Sequence, residues 1–347
     1  MNQWLKRYLC VVFAAGMALG RNTASASEPA RSPSRDVEHA LGSMQGSSLS
    51  VAISSDGDYS ITSPGIRGSV IRGDMEADVD SRVLRSSAYP RHTIVQSEFQ
   101  NEFGFGSTLT VTHTGLPGTP DLMWTLRLYR DQSWGEIEAG VRNTTDRAIS
   151  VASIRSLHAT HAPIISLNGP VSADRILSDS FSEDRPQLAI RELGDAPKGT
   201  HRAVGSQLIY NRESGESLFL GALTSDRLLT IFHLKEQTAG GAATVLSYEA
   251  VATGTTEILK GESLKDSPAA EQVELSVRVN SGESLSSERL MVAVGPDYHA
   301  QLEQYGRAVG LLHKARVNAS TPIGWWSWTA YYFGLNQGTA GTNAHWL

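Results

Sequence analysis

Residues 321–347, TPIGWWSWTAYYFGLNQGTAGTNAHWL, carry four of the seven tryptophans of this 347-residue chain: Trp325, Trp326, Trp328 and Trp346. Tyr331, Tyr332 and Phe333 stand among them. Pro322 followed by an apolar and aromatic run reads as a buried strand. The stretch from Gly334 to Thr342 then supplies turn residues and a helix N-cap before a helical segment at 343–347. Strand, loop and helix in that order open an α/β unit. Nothing earlier in the chain has this character, so the stretch is expected to be the first step of a new domain that the sequence does not go on to complete.

Working back from it, residues 297–314 form the one strong helical pattern upstream. Tyr298, Leu302, Tyr305, Val309 and Leu312 recur at alternating steps of four and three, which lines them up on one face. Pro296 and Asp297 mark the start, and His313, Lys314 and Arg316 place positive charge where the helix dipole favours it. Residues 296–320 are therefore expected to be a linker helix.

Before the linker the grammar is that of strands. LSVAIS at 49–54 and YSIT at 59–62 flank Asp56-Gly57, a hairpin signal. Alternation continues through 79–85, 92–99, 108–114, 122–129 and 134–143. It resumes at 149–157, 203–210, 217–223, 228–234, 244–251 and 273–279. β-Branched and aromatic residues recur at every second position, and Gly, Pro, Asn or Asp closes the runs. With no helical pattern between them and no fixed repeat, these strands predict a large antiparallel sandwich over residues 48–295.

The N-terminus has Lys6 and Arg7, an apolar core at 8–19 and an Ala24-Ser25-Ala26 site. This is the pattern of an export signal over residues 1–26, too short to span a bilayer comfortably, with cleavage expected after Ala26. A periplasmic or secreted product with no membrane attachment after cleavage is the expectation. Residues 27–47 read as a flexible leader, two prolines lying in EPARSPSRD at 28–36. The single cysteine, Cys10, falls in the signal, so the mature chain has no disulfide. A net charge of -6 with both signs dispersed gives no basic face, which excludes nucleic acid as the expected partner.

Chemistry-bearing clusters are sparse. His158 and His161 lie three apart on an expected strand or its exit and so point to opposite faces, which suits two metal ligands poorly. Asp179, Glu183 and Asp184 could do acid and base work, but they sit among polar turn residues with no sign of a desolvated pocket. No G-x-S-x-G and no phosphate-binding glycine loop occurs. No metal and no cofactor is expected. Asn143-Thr144-Thr145 and Asn318-Ala319-Ser320 fit the glycosylation acceptor pattern.

The order of a β-rich region, a linker helix and then Pro322-Ile323-Gly324-Trp325-Trp326-Ser327-Trp328 with Tyr331-Tyr332 resembles glycoside hydrolase family 36, the bacterial α-galactosidases and their relatives. Ser182-Glu183-Asp184-Arg185-Pro186 and Arg202-Ala203-Val204-Gly205-Ser206 also look like that family's sandwich. The resemblance implies a β-supersandwich followed by a (β/α)8 barrel, with the tryptophan motif as the first barrel strand. It implies that Trp328 lines a galactose pocket, with Trp325, Trp326 and Tyr331 as further sugar-contacting candidates. Flat apolar rings suit the CH-rich face of a pyranose.

It also implies retaining hydrolysis of terminal α-galactosides by two aspartates on later barrel strands, held about 5 Å apart. A barrel takes about 250 residues, and 321–347 provides one strand and part of one helix. No catalytic residue is therefore transferred, and the chain is expected to be an inactive N-terminal portion whose galactose-containing oligosaccharide belongs to the complete enzyme. A non-catalytic carbohydrate-binding sandwich and a purely structural exported sandwich remain the alternatives.

Overall fold

The computed structural model describes residues 40–178, 189–195, 199–240, 242–254, 276–316 and 332–345. The first ten strands are β1 (Ala40–Gln45), β2 (Ser50–Ser54), β3 (Tyr59–Thr62), β4 (Ser69–Val79), β5 (Arg82–Arg85), β6 (Arg91–Asn101), β7 (Gly104–Thr114), β8 (Asp121–Tyr129), β9 (Trp134–Arg142) and β10 (Ile149–Ala159). The next ten are β11 (Asp174–Ser178), β12 (Ala189–Glu192), β13 (Thr200–Val204), β14 (Ser206–Asn211), β15 (Ser217–Ala222), β16 (Leu229–Ala239), β17 (Ala242–Thr253), β18 (Val277–Val279), β19 (Ser284–Ser286) and β20 (Leu290–Gly295). Helices α1 (Tyr298–Leu312) and α2 (Gln337–Ala344) follow.

The strands make two antiparallel sheets of ten. The first runs β1-β2-β3-β4-β10-β17-β16-β13, with β5 on β4 and β18 on β10. The second runs β12-β11-β14-β15-β20-β9-β8-β7-β6, with β19 on β9. Period-two alternation decides which side chains meet between them. On β8, Leu122, Trp124, Leu126 and Leu128 are buried in the core, while Met123, Thr125 and Arg127 point the other way. Ile53, Ile61, Met75, Tyr248 and Phe232 of the first sheet join the same core.

Tyr59 of the first sheet stacks on Trp124 of the second at 4.1 Å between centroids. Both donate to the carbonyl of Ser156, Tyr59 from its hydroxyl at 2.9 Å and Trp124 from its indole at 3.1 Å. That carbonyl lies where the register of β10 on β17 shifts, between Arg155 and Leu157. The irregularity thus supplies an acceptor that a fully paired strand would spend on its neighbour.

Several boundaries differ from the sequence expectation. Residues 79–85 are two strands, not one. Asp80 and Ser81, both at positive φ, make the two-residue turn that joins β4 to β5. The run 203–210 is also split, because Gly205 (φ 83°) ends β13 in the first sheet and starts β14 in the second. A left-handed backbone there is what lets the chain change sheets. Residues 40–45, expected in the leader, form β1. The export signal and residues 27–39 of the leader lie outside the described residues.

Helix α1 keeps all five residues of its predicted stripe on the outer face of the second sheet. Tyr298, Leu302, Tyr305, Val309 and Leu312 pack with Phe219, Met291, Trp134 and Tyr129. Asp297 caps its start by accepting from the Ala300 amide at 2.9 Å. At its end the His313 ring donates to the Leu223 carbonyl at 2.8 Å. Tyr305 reaches the Ala222 carbonyl at 2.8 Å.

Helix α2 begins earlier than the expected Thr342 cap. Asn336 and Thr339 exchange side chain to amide bonds at 3.0 Å each, a reciprocal box that opens the helix at Gln337. Just before it, Phe333 is 94% exposed and Tyr332 is 62% exposed. No helix among the described residues is long and apolar enough to cross a membrane.

Candidate functional site

Trp325, Trp326, Trp328 and Tyr331, the residues expected to touch sugar, lie outside the described residues, as do Asp179, Glu183, Asp184 and Arg185. The described residues bring together a different set. On the outward face of the first sheet, strand register lays Asp74 (β4), His158 (β10), Glu249 (β17), His233 (β16) and Arg202 (β13) side by side in one row. Acidic and basic groups alternate from Asp74 to His233, and Arg202 follows as a second basic group.

The contacts follow from that register. The His158 Nδ1 lies 2.7 Å from Asp74 Oδ1 and 3.4 Å from Glu76 Oε1. Arg155, next on the same face of β10, sets its Nε 2.8 Å from Glu249 Oε2 and 3.8 Å from Glu76 Oε2. Lys235 Nζ sits 2.8 Å from Glu249 Oε1, and Ser87 donates to Asp74 Oδ2 at 3.2 Å. Burial pushes the Glu249 carboxyl up, but the bonds from Lys235 and Arg155 outweigh it and hold the group below the usual carboxylate range. Beside the row, Val251, Ile231 and Val204 form a buried apolar strip across β17, β16 and β13.

The row ends at the β2 to β3 turn. Asp58 is pushed up to about 6, first by burial and then by Asp74, and its Oδ1 is buried without a hydrogen-bond partner. In the same turn Gly57 (φ 81°) sits over two imidazoles. A Cβ there would come within 2.5 Å of His92 Nδ1 and 3.0 Å of His113 Nδ1, which are themselves 2.8 Å apart. Burial, then the neighbouring His92, lowers His113 to about 3, so the pair is neutral at physiological pH.

Chemically the row offers an imidazole oriented by Asp74, a clamped guanidinium and carboxylates already engaged by basic side chains. Such groups orient hydroxyls; a nucleophile would need a less encumbered carboxylate. Among the described residues no group of three or more His, Cys, Asp or Glu is arranged to hold a metal ion. The amide of Asn143 is consumed by the carbonyls of Arg147 (2.7 Å) and Val279 (3.0 Å), and the residue is fully buried, so it is closed to glycosylation. Asn318 lies outside the described residues.

Sequence reasoning singled out His158 but not its partners. Asp74 is 84 residues away and Glu249 is 94 residues from Arg155, so only the strand order unites them. The signal present in the sequence was one charged or imidazole side chain at an outward position of each of five separate strands.

No protein-family profile matches the sequence, and no curated protein matches it. Solved structures do match its fold. The α-galactosidase of Lactobacillus brevis aligns at TM-score 0.52 and 10% identity, over 88% of this chain and 46% of that one. A GH36 α-galactosidase of Geobacillus stearothermophilus, determined with raffinose, aligns at 0.44 and 10% identity over 80% and 37%. A putative aldose 1-epimerase of Escherichia coli K12 aligns at 0.41 and 10% identity over 73% and 98%. The chain spans less than half the length of the α-galactosidases it matches. At this identity the likeness establishes the fold alone: a mainly β chain with a sandwich like that of the Lactobacillus brevis α-galactosidase.

Proposed function

We propose that this chain is the sandwich portion of an exported, retaining α-galactosidase-like glycoside hydrolase that acts on terminal α-galactosides. The observation that carries the reading is the fold likeness over 88% of the chain to an α-galactosidase, together with the tryptophan motif that follows α1. Export rests on the signal pattern at residues 1–26. In this reading Trp328, with Trp325, Trp326 and Tyr331, contacts galactose, and the reacting acids are not residues of this chain. The chain by itself should leave a chromogenic α-galactoside uncleaved. Turnover that disappears on substituting a residue of this chain would overturn the assignment.

A second reading, a non-catalytic carbohydrate-binding sandwich, draws on the Asp74, His158 and Glu249 row beside an apolar strip, since sugars need fixed polar groups next to apolar surface. Calorimetry with raffinose separates the two. Saturable heat lost in Trp328→Ala supports the first, and heat that survives it but is lost in His158→Ala supports the second.

A further inference from the structure

Every free sheet edge among the described strands is short except one. β12 has 4 residues, β13 has 5, and β1 has 6 with a register shift between Ala40 and Gly42. The edge of β1 is further engaged by the Gln96 amide, which donates to the Ser43 carbonyl at 2.8 Å. β6 closes the second sheet with 11 residues, and its register on β7 is unbroken from Arg91 to Asn101.

That strand, RHTIVQSEFQN, has no proline, no lysine and no bulge. Those are among the devices by which natural proteins blunt an open edge against pairing, and the charged residues of β6, Arg91 and Glu98, stand to either side of its middle. Val95 at its middle is 57% exposed. A long, regular edge without proline, lysine or bulge, with an exposed apolar residue next to its centre, suits a strand that has a partner.

We propose that β6 pairs antiparallel with β6 of a second copy of this chain, about a two-fold axis at Val95. The sequence selects both occupant and register. About Val95, Ile94 faces Gln96 of the other copy, Thr93 faces Ser97, and His92 faces Glu98 twice over. A register centred on Glu98 would set like charges against each other, and one centred on Gln96 would place Glu98 against Ile94, so neither gives Glu98 the polar partner that His92 offers it about Val95. Glu98 already accepts from Arg130 at 2.5 Å, and His92 holds His113 through Nδ1, so each approaches the axis from a fixed position. Pairing would join the second sheets of two copies into one continuous sheet of twenty strands, twice the ten of each.

Sedimentation velocity on the full chain at tens of micromolar tests this, and twice the chain mass is expected. Val95→Lys puts two ammonium groups at the axis on a side chain that is already exposed. It should leave the circular dichroism unchanged and weaken the dimer about tenfold or more. In a second arm, Val95→Cys with Cys10→Ser leaves one thiol per chain, and a short bismaleimide should join two chains covalently. A monomeric wild type would overturn the proposal. So would a dimer indifferent to Val95→Lys that the bismaleimide cannot link, or an edge covered by a strand of a different protein.

Discussion

Each sheet carries a buried carboxylate on its outward face, and the two are held in opposite ways. Glu136 on β9 is 0% exposed and depends on Arg289, which grips both its oxygens at 2.9 and 2.8 Å. Tyr129 adds a hydroxyl, and Arg127 stands off at 3.8 Å. Glu249 on β17 is shared between Arg155 and Lys235, each at 2.8 Å, with His233 at 3.9 Å. The difference follows from what covers each face. Around Glu136 lie aromatic rings and helix α1, so one strong, half-buried bidentate cation serves it; its Cζ also stands 5.3 Å from the Phe103 ring centroid. Around Glu249 the face stays polar, and several weaker partners suffice. A single point of failure on one sheet contrasts with a redundant network on the other.

The contrast breaks most sharply at Arg289. Arg289→Ala leaves the buried Glu136 carboxyl with only the Tyr129 hydroxyl and the distant Arg127, and should lower the unfolding free energy by about 3–5 kcal/mol, read from the urea midpoint. A loss under about 1 kcal/mol would mean that Tyr129 and Arg127 carry the carboxylate alone.

Asp58 sharpens the comparison through pH. Its folded value of about 6 lies above the ordinary 3.8, so the folded state is favoured when the group is protonated. The wild type therefore loses stability as pH rises from about 4 through 6. Asp58→Asn removes that loss, so it should gain on the order of 1 kcal/mol at pH 8 after screening of this partly exposed group, and nothing at pH 3.5. His113 works in the other direction, because its lowered value of about 3 makes protonation costly and stability falls as pH drops below about 6. A thermal melt series across pH in both Asp58→Asn and His113→Gln separates the two.

The smallest effect is expected at Lys235, which is 52% exposed on its side chain. Lys235→Ala should cost at most about 1 kcal/mol, since Arg155 continues to hold Glu249. A loss comparable with that of Arg289→Ala would remove the claim of redundancy.

What could be read from the sequence was local. The five-residue stripe of α1 is spelled out in consecutive turns, and it packs as expected. Most strands were visible through alternation, with β6 to β9 found within a few residues of their ends. Two joints were not visible. At Asp80-Ser81 the turn uses residues without the glycine signal, and at Gly205 a single glycine in a continuous run marks a change of sheet. The polar row was invisible for a different reason. Its members lie on five strands, and antiparallel register is a property of the folded pairings, not of spacing along the chain. The reading of 27–47 as leader missed β1, whose Gly42 tucks under Ile94 of β6, because a short strand with glycine and few β-branched residues has little alternation to display.

The Tyr59 and Trp124 stack gives the sandwich an optical gauge. One ring belongs to each sheet and both are anchored to the same Ser156 carbonyl, so any parting of the layers must unstack them and wet the indole. The emission difference between the protein and its Trp124→Phe form therefore tracks how far apart the layers stand, independently of events at either rim.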